Sequence, residues 1–504
     1  MTLQAFVKNA LEKNVESHLS KVQDYELAIP KNNQGDFALN IAFKLAKDLK
    51  MPPQKIAEEL KSQLIKCNDI SCSVSGGYVN LTLNNDALYK FFTTFLNTAP
   101  NIKSSEKILI EYVSANPTGP LHIGHGRWAA IGDTLYRLLK SVGYSIEREF
   151  YINDAGNQIR LFKESVIAIQ ENSKAPENGY GGKFVETIAH SNTPIDNIID
   201  DVINYQKRTL ASMQCEFENW FKESTLHEED IIQCIKDAFP SYVYEKDTAL
   251  WFKTTLHGDD KDRVIKKENG DLTYFAADIV YHLNKVNRGY STILNIWGAD
   301  HHGYVPRVSA VIAALKKNVT FDVILGQLVH LFKNGEPVKM SKRTGELIEL
   351  AEVIEEIGAD ATRYFLLEKK PDHQLDFDLS IAKEKNINNP VYYIQYAHAR
   401  ISNILNKTED TFMVTKKLNE KDRELMIIGA RYYDVLIDAA TNREPYKICH
   451  YLYDLAKSFH SFYKQNHILE NNEVHQGRLE IIKVTQKIIQ HCCMILGIST
   501  PNKM

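Results

Sequence analysis

Phe37, Ile41, Leu45 and Leu49 recur at four-residue steps with alanines between them, and predict one apolar face of a helix. Met51-Pro52-Pro53 ends it, and Ile56, Leu60 and Leu64 repeat the period in a second helix. After Gly76-Gly77, residues 78–83 (YVNLTL) read as a short strand. Helices and strands mixed within the first hundred residues predict a small α+β unit, with Asn97-Thr98-Ala99-Pro100 as the linker that closes it.

Residues 108–113 (ILIEYV) predict a buried strand, bounded by the turn formers Asn116-Pro117-Thr118-Gly119-Pro120. A helix follows, with Ile131, Leu135, Leu138 and Leu139 on one side and Gly143 at its end. Strand, turn and helix in this order open a nucleotide-binding α/β unit. The polar stretch of roughly 170–270 reads as an insertion between two halves of a sheet. Residues 291–297 predict the next strand, followed by Gly298-Ala299-Asp300 and a helix through Leu315. Residues 321–331 predict another strand, and together these imply a parallel sheet with helices on both faces. Beyond Asn389-Pro390 the pattern is wholly helical: Leu452, Leu455, Phe459 and Phe462, then Ile481, Thr485, Ile488, Cys492 and Ile495. The chain is thus a multidomain α/β protein. It divides into a small α+β unit (1–100), a parallel-sheet unit with an insertion (101–384) and an all-α unit (385–504).

Composition is that of a globular protein: 44% hydrophobic and 25% charged residues exclude a disordered or fibrous chain. The 504 residues carry a net charge of −4, so the whole molecule is no basic nucleic-acid coat. The charge is uneven, however. Residues 385–504 hold sixteen Lys and Arg against twelve Asp and Glu, which fits either a polyanionic partner for that unit or chance scatter on a solvated surface. The seven cysteines are scattered without a C-x-x-C pair, which supports neither a disulfide framework nor a zinc site. No run of apolar residues has the length of a signal peptide or a membrane span. A cytoplasmic protein with no membrane association is the expectation.

Two runs carry chemistry. The first is Ser114-Ala115-Asn116-Pro117-Thr118-Gly119-Pro120-Leu121-His122-Ile123-Gly124-His125-Gly126-Arg127. His122 and His125 lie three apart, so on a helical turn both rings face one ligand. Gly119, Gly124 and Gly126 remove side chains where a nucleotide touches backbone, and the helix N-terminus offers N–H groups to phosphate. The bland alternative is a pair of capping or core histidines. The second run is Lys339-Met340-Ser341-Lys342-Arg343-Thr344-Gly345. Its three cations can grip a triphosphate and stabilise the pyrophosphate that leaves during attack at the α-phosphorus. Alone, it would read as a solvated loop.

The two runs together resemble the HIGH and KMSKS motifs of class I aminoacyl-tRNA synthetases. The first matches letter for letter at His122 to His125, and the second departs only at Arg343. The resemblance narrows to the arginyl-tRNA synthetases through Tyr151-Ile152-Asn153-Asp154-Ala155-Gly156-Asn157-Gln158, through Gly298-Ala299-Asp300-His301-His302-Gly303-Tyr304, and through Asn389-Pro390-Val391-Tyr392-Tyr393-Ile394-Gln395-Tyr396-Ala397-His398-Ala399-Arg400. Gly35-Asp36-Phe37-Ala38 is similar to that family's N-terminal tRNA-contacting domain. The resemblance implies a Rossmann-like catalytic domain and an α-helical anticodon-binding domain, with Tyr392 and Tyr396 as candidate base platforms. It implies L-arginine, ATP and tRNA(Arg) as substrates, Mg²⁺ with the phosphates, and activation of arginine only once tRNA is bound; a monomer is the expectation, though nothing in the residues fixes the oligomeric state.

A guanidinium is a planar fork of donors that stays charged, and its matched acceptor is a carboxylate. By resemblance, Glu111, Tyr274 and Asp278 hold the guanidinium, while Ser114 and Asn116 meet the α-amino end. ATP falls to Gly119, Pro120, Leu121, His122, Ile123, Gly124, His125, Gly298, Asp300, His301, Lys339, Met340, Ser341 and Lys342. Catalysis falls to His122, His125, Lys339 and Lys342, with no protein-bound metal. Charged hydrogen bonds worth about 1.5–3 kcal/mol each suffice to exclude lysine or citrulline, so no hydrolytic editing site is expected.

Overall fold

The computed structural model describes residues 1–19, 25–30, 34–65, 67–100, 102, 106–191, 193–228, 230–338, 348–408, 412–415, 417–470 and 473–504. The N-terminal part packs helices α1 (Leu3–Leu19), α2 (Ile41–Leu49) and α3 (Pro53–Leu64) with four short strands: β1 (Leu27–Ala28), β2 (Phe37–Leu39), β3 (Ile70–Ser75) and β4 (Tyr78–Leu83). The sheet order is β1-β2-β4-β3, all antiparallel, and α4 (Asn85–Thr94) follows. Phe37, expected on the face of α2, is instead a strand residue paired with Leu81. A four-residue step fits both periods, since it is also two strand repeats, and the chain is drawn into the sheet by Asp36 N donating to Leu81 O at 2.7 Å. Gly35 permits this approach. Its φ is +115°, and a Cβ there would lie 2.7 Å from Leu81 O.

The central sheet is built from β5 (Lys107–Glu111), α5 (Ile123–Ser141), β6 (Ser145–Ile152), α6 (Gly156–Gln170), α7 (Lys183–Ala189), α8 (Ile198–Ser212) and β7 (Asn219–Lys222). After α9 (Ile231–Ala238), the strands β8 (Val243–Lys246), β9 (Ala249–Phe252) and β10 (Arg263–Lys266) form a separate antiparallel sheet. The chain returns through α10 (Tyr274–Asn287), β11 (Thr292–Gly298), α11 (Val305–Ala314) and β12 (Thr320–Gly326). The order β12-β11-β5-β6-β7 is parallel throughout. The stretch expected as an insertion thus contributes an edge strand, β7, to the main sheet. Four residues are too few to show a strand period.

Residues 321–331, expected as one strand, are two. β12 stops at Gly326, and β13 (Val329–Lys333) joins β14 (Glu336–Pro337) and β15 (Leu375–Asp378) in another sheet. The break is pinned at Gln327, whose N–H donates to Pro371 O at 2.8 Å and whose carbonyl accepts from Arg127 at 2.8 Å. Between them lie α12 (Leu350–Ile357), α13 (Ala359–Leu367) and, after β15, α14 (Leu379–Lys383).

The C-terminal part is a helical bundle of α15 (Pro390–Asn406), α16 (Glu420–Ala430), α17 (Tyr432–Thr441), α18 (Tyr446–Gln465) and α19 (Gln476–Leu496). It carries one small sheet that the periodicity did not show: β16 (Phe412–Val414), β17 (Leu469–Glu470) and β18 (Glu473–His475). Among the charged contacts that tie this bundle to the rest are two built on arginines. Arg423 pairs with Asp36 and donates to Leu83 O at 2.9 Å. Arg363, fully buried, donates to Leu496 O at 2.6 Å and to Asp133 on α5 at 2.7 Å. Among the described residues, no helix is long and apolar enough to cross a membrane.

Candidate active site

The chain leaves β5 toward β6 and β7 on one side and returns through β11 and β12 on the other. In a parallel sheet such a switch point opens a crevice at the carboxyl ends of the strands, where ligands bind. Glu111 ends β5 and Gly298 ends β11, so both border this crevice.

The exit from β5 is strained. Ser114 N donates to Tyr112 O at 3.0 Å, closing a three-residue turn around Val113, whose φ is +69°. A γ-turn of this sign is rare, and a β-branched residue in it is held against its preference. The turn puts Ser114 Oγ where it donates to Glu111 Oε1 at 2.9 Å and accepts from Tyr151 N at 3.1 Å. Further on, Asn116 is exposed and donates to Gln158 at 2.6 Å. The buried Gln206 amide holds this whole turn, donating to Asn116 O at 3.1 Å and Gly119 O at 2.9 Å. Gly119 and Pro120 are partly exposed, while Leu121 and Ile123 are buried.

His122 caps α5. Its Nδ1 accepts from Gly124 N at 3.1 Å, and His125 Nδ1 accepts from His122 N at 3.2 Å, with the two rings stacked at 3.7 Å. The capping alternative is therefore what the Nδ1 atoms do. An accepting Nδ1 places the proton of each neutral ring on Nε2, so both rings remain donors. Burial, then the neighbouring His122 ring, hold the His125 pKa well below the usual histidine value. Lys339, Met340, Ser341 and Lys342 lie outside the described residues. The segment that follows them is anchored beside the histidines: Leu350 N donates to Leu121 O at 2.7 Å, His122 bridges to Glu349, and Tyr205 donates to Glu349 at 2.8 Å. On the other border, Asp300 and His301 are open to solvent on the 3₁₀ turn Ala299–Tyr304, 3.7 Å apart.

The pocket beside Glu111 is rich in carboxylates. Glu111 is buried and paired with Lys285, whose ammonium also lies 3.4 Å from Asn295 Oδ1 and 4.3 Å from the Tyr281 ring centre. Asp278, partly buried on α10, accepts from the Tyr304 hydroxyl. Its burial pushes the pKa up to about 7; the Tyr304 bond and Lys285 act against this, and Glu111 and Glu223 add to it. Behind them Glu149 accepts from Tyr281 at 2.7 Å and from Arg288 at 2.7 Å, and Tyr151 donates to Glu223 at 2.9 Å. Tyr274 does not join this cluster. It is 63% exposed at the first position of α10, whose packed stripe is Phe275, Ala276 and Ile279.

Three comparisons decide what this crevice belongs to. Family models match residues 1–83 (arginyl tRNA synthetase N terminal domain), 93–181 (tRNA synthetases class I (R), catalytic domain) and 394–504 (DALR anticodon binding domain). The arginine–tRNA ligase of Listeria monocytogenes serotype 4a is 39% identical over the whole chain and 98% of its own length. That of Aquifex aeolicus is 37% identical over 97% of this chain and 98% of its own. The chain belongs to the arginyl-tRNA synthetase family. The Thermus thermophilus arginyl-tRNA synthetase, 20% identical, superposes with a TM-score of 0.80 over all of both chains, which shows the shared fold.

Within a class I arginyl-tRNA synthetase fold, the sequence motifs missed Lys285, Gln206, Glu223 and the inward turn of Tyr304. No short motif contains Lys285 or Gln206, whose partners lie 174 and 87–90 residues away. Tyr304 ends the motif at residues 298–304, but nothing local marks its direction. Among the described residues, no group of three His, Cys, Asp or Glu side chains is arranged to hold a metal. The Mg²⁺ expected with ATP has no protein ligand set among them.

Proposed function

We propose that this chain, an ATP-using arginine–tRNA ligase by family, joins arginine to tRNA(Arg) in two steps over the carboxyl ends of β5 and β11. In the first, the arginine carboxylate attacks the α-phosphorus of ATP, a P–O bond breaks, and pyrophosphate leaves. In the second, the 3′-terminal ribose hydroxyl of the tRNA attacks the carbonyl of arginyl-adenylate, and AMP leaves. No protein nucleophile is required, so catalysis is positioning plus charge stabilisation.

Asp278 and Glu111 receive the guanidinium, and Ser114 and Asn116 meet the α-amino end. His122 and His125 present Nε2–H groups to the phosphates at the N-terminus of α5, where the helix dipole adds to their effect. Lys339 and Lys342 neutralise the departing pyrophosphate, and Gly298, Asp300 and His301 border the nucleoside. The 1–100 part contacts tRNA, 101–384 carries the chemistry, and 385–504 reads the anticodon with its positive balance. Tyr392 and Tyr396, stacked with ring centres 6.0 Å apart and with Arg400 over Tyr396, form a platform for bases there. The chain acts as a monomer in the cytoplasm, a compartment that the seven free thiols fit.

The observation that carries this reading is the convergence of the β5 carboxylate, the α10 carboxylate and the histidine turn at one switch point. The test is ATP–pyrophosphate exchange with each amino acid, with and without tRNA. Exchange with arginine in the presence of tRNA(Arg) is expected, and silence under that condition would defeat the assignment.

A further inference from the structure

Tyr304 closes the turn whose earlier residues, Gly298, Asp300 and His301, border the nucleotide, yet its side chain points at the amino-acid pocket. Its hydroxyl donates to Asp278 Oδ2. The ring is fixed on three sides. It stands edge-on to Phe275 at 6.4 Å and to Trp297 at 6.1 Å, and the Arg307 guanidinium lies over it at 5.1 Å. A ring held this way fixes the phenol oxygen beside Asp278.

The groups facing the Asp278 carboxyl come from every neighbouring element. Glu111 on β5 and Glu223 after β7 disfavour its charge, Lys285 on α10 favours it, and Tyr151 on β6 faces it from the strand beside β5. Among the described residues, the hydrogen bond to this carboxylate comes from Tyr304. Each carboxylate oxygen has two acceptor positions, so a guanidinium fork still fits beside the phenol.

We propose that Tyr304 is a positioning residue for arginine, aiming the Asp278 carboxylate at the guanidinium. The proposal rests on the reading of Asp278 as guanidinium acceptor. A hydrogen bond to a carboxylate favours its charged form. Burial pulls Asp278 toward protonation near neutral pH, and this bond acts against that pull, shifting the acceptor toward its anionic form. The residue does not touch the reacting atoms, so its loss weakens arginine use and leaves ATP use alone.

The test measures arginine-dependent ATP–pyrophosphate exchange from pH 6 to 9 in the full-length chain with tRNA(Arg), for the unaltered protein, Tyr304→Phe and Asp278→Asn. Tyr304→Phe keeps the ring and its packing. It is expected to raise the arginine KM about tenfold, from the loss of one hydrogen bond to a charged group. The acidic limb of kcat/KM for arginine is expected to move up by about one pH unit, with the ATP KM unchanged. Asp278→Asn is expected to raise the arginine KM and abolish that limb. If Asp278→Asn leaves arginine use intact, the underlying reading of Asp278 fails. If Asp278→Asn behaves as expected while Tyr304→Phe leaves the arginine KM or the limb in place, the Tyr304 proposal alone is overturned.

Discussion

Lys285 meets Glu111 in a buried ion pair on the floor of the pocket, so the carboxylate that the motifs offer to the substrate already holds a cation of the protein's own. An isolated buried carboxylate would be strongly disfavoured, and the pair offsets that cost. Asp278 is held instead by the Tyr304 hydroxyl. On the proposed reading, Asp278 on α10 receives the guanidinium first and Glu111, steadied by Ser114, is a secondary acceptor.

Removing the resident cation should therefore destabilise more than removing both partners. Lys285→Met leaves Glu111 uncompensated and is expected to cost about 3–5 kcal/mol, read as a lower urea midpoint for the part containing the central sheet. Adding Glu111→Gln should recover more than half of that loss. A Lys285→Met protein as stable as the parent would show that the pair is not confined as described.

Gln206 reaches the histidine turn from α8 with two donated hydrogen bonds. Gln206→Ala should loosen the turn and raise the KM for both ATP and arginine. Gln206→Glu should be worse, because a carboxylate cannot donate to Asn116 O and Gly119 O. Steady-state kinetics on the two variants check this; a Glu variant as active as the parent would remove Gln206 from the support of the site.

Two buried groups make opposite contributions to stability against pH. His282 is held down to about 3 by burial and by Lys285, so between about 3 and its unfolded value of 6.5 the unfolded chain binds the extra proton. Its contribution to stability therefore rises with pH across that window. Asp278 is raised from 3.8 to about 7, so between those values the folded chain binds the extra proton and its contribution falls as pH rises. In the shared range of 3.8 to 6.5 the two slopes oppose. Asp278→Asn removes the falling one, and unfolding midpoints measured from pH 5 to 6.5 should then climb more steeply, by up to about 1.4 kcal/mol per pH unit. An unchanged profile would contradict the paired assignment.

Features local in the chain were legible in advance. The β5 strand, the glycine-bearing turn and α5 follow from a run of apolar residues, turn formers and helical spacing, all set within a few residues. His122 and His125 were legible as a pair for the same reason, and their capping role was one of two local alternatives. Phe37 was not, because a four-residue step is shared by both periods. β7 was not either, because four residues carry too little pattern.

The amino-acid sequence by itself determined the strand, turn and helix that carry the histidine pair, because each of these depends on neighbours in the chain, while Glu111 and Asp278 were marked only by the family resemblance. Tertiary structure alone decided that β11 lies beside β5, that α10 covers both, and hence that Lys285 finds Glu111 and Tyr304 finds Asp278. Such pairings depend on strand order and on which group loses its water, and both come into being only when distant segments close on one another.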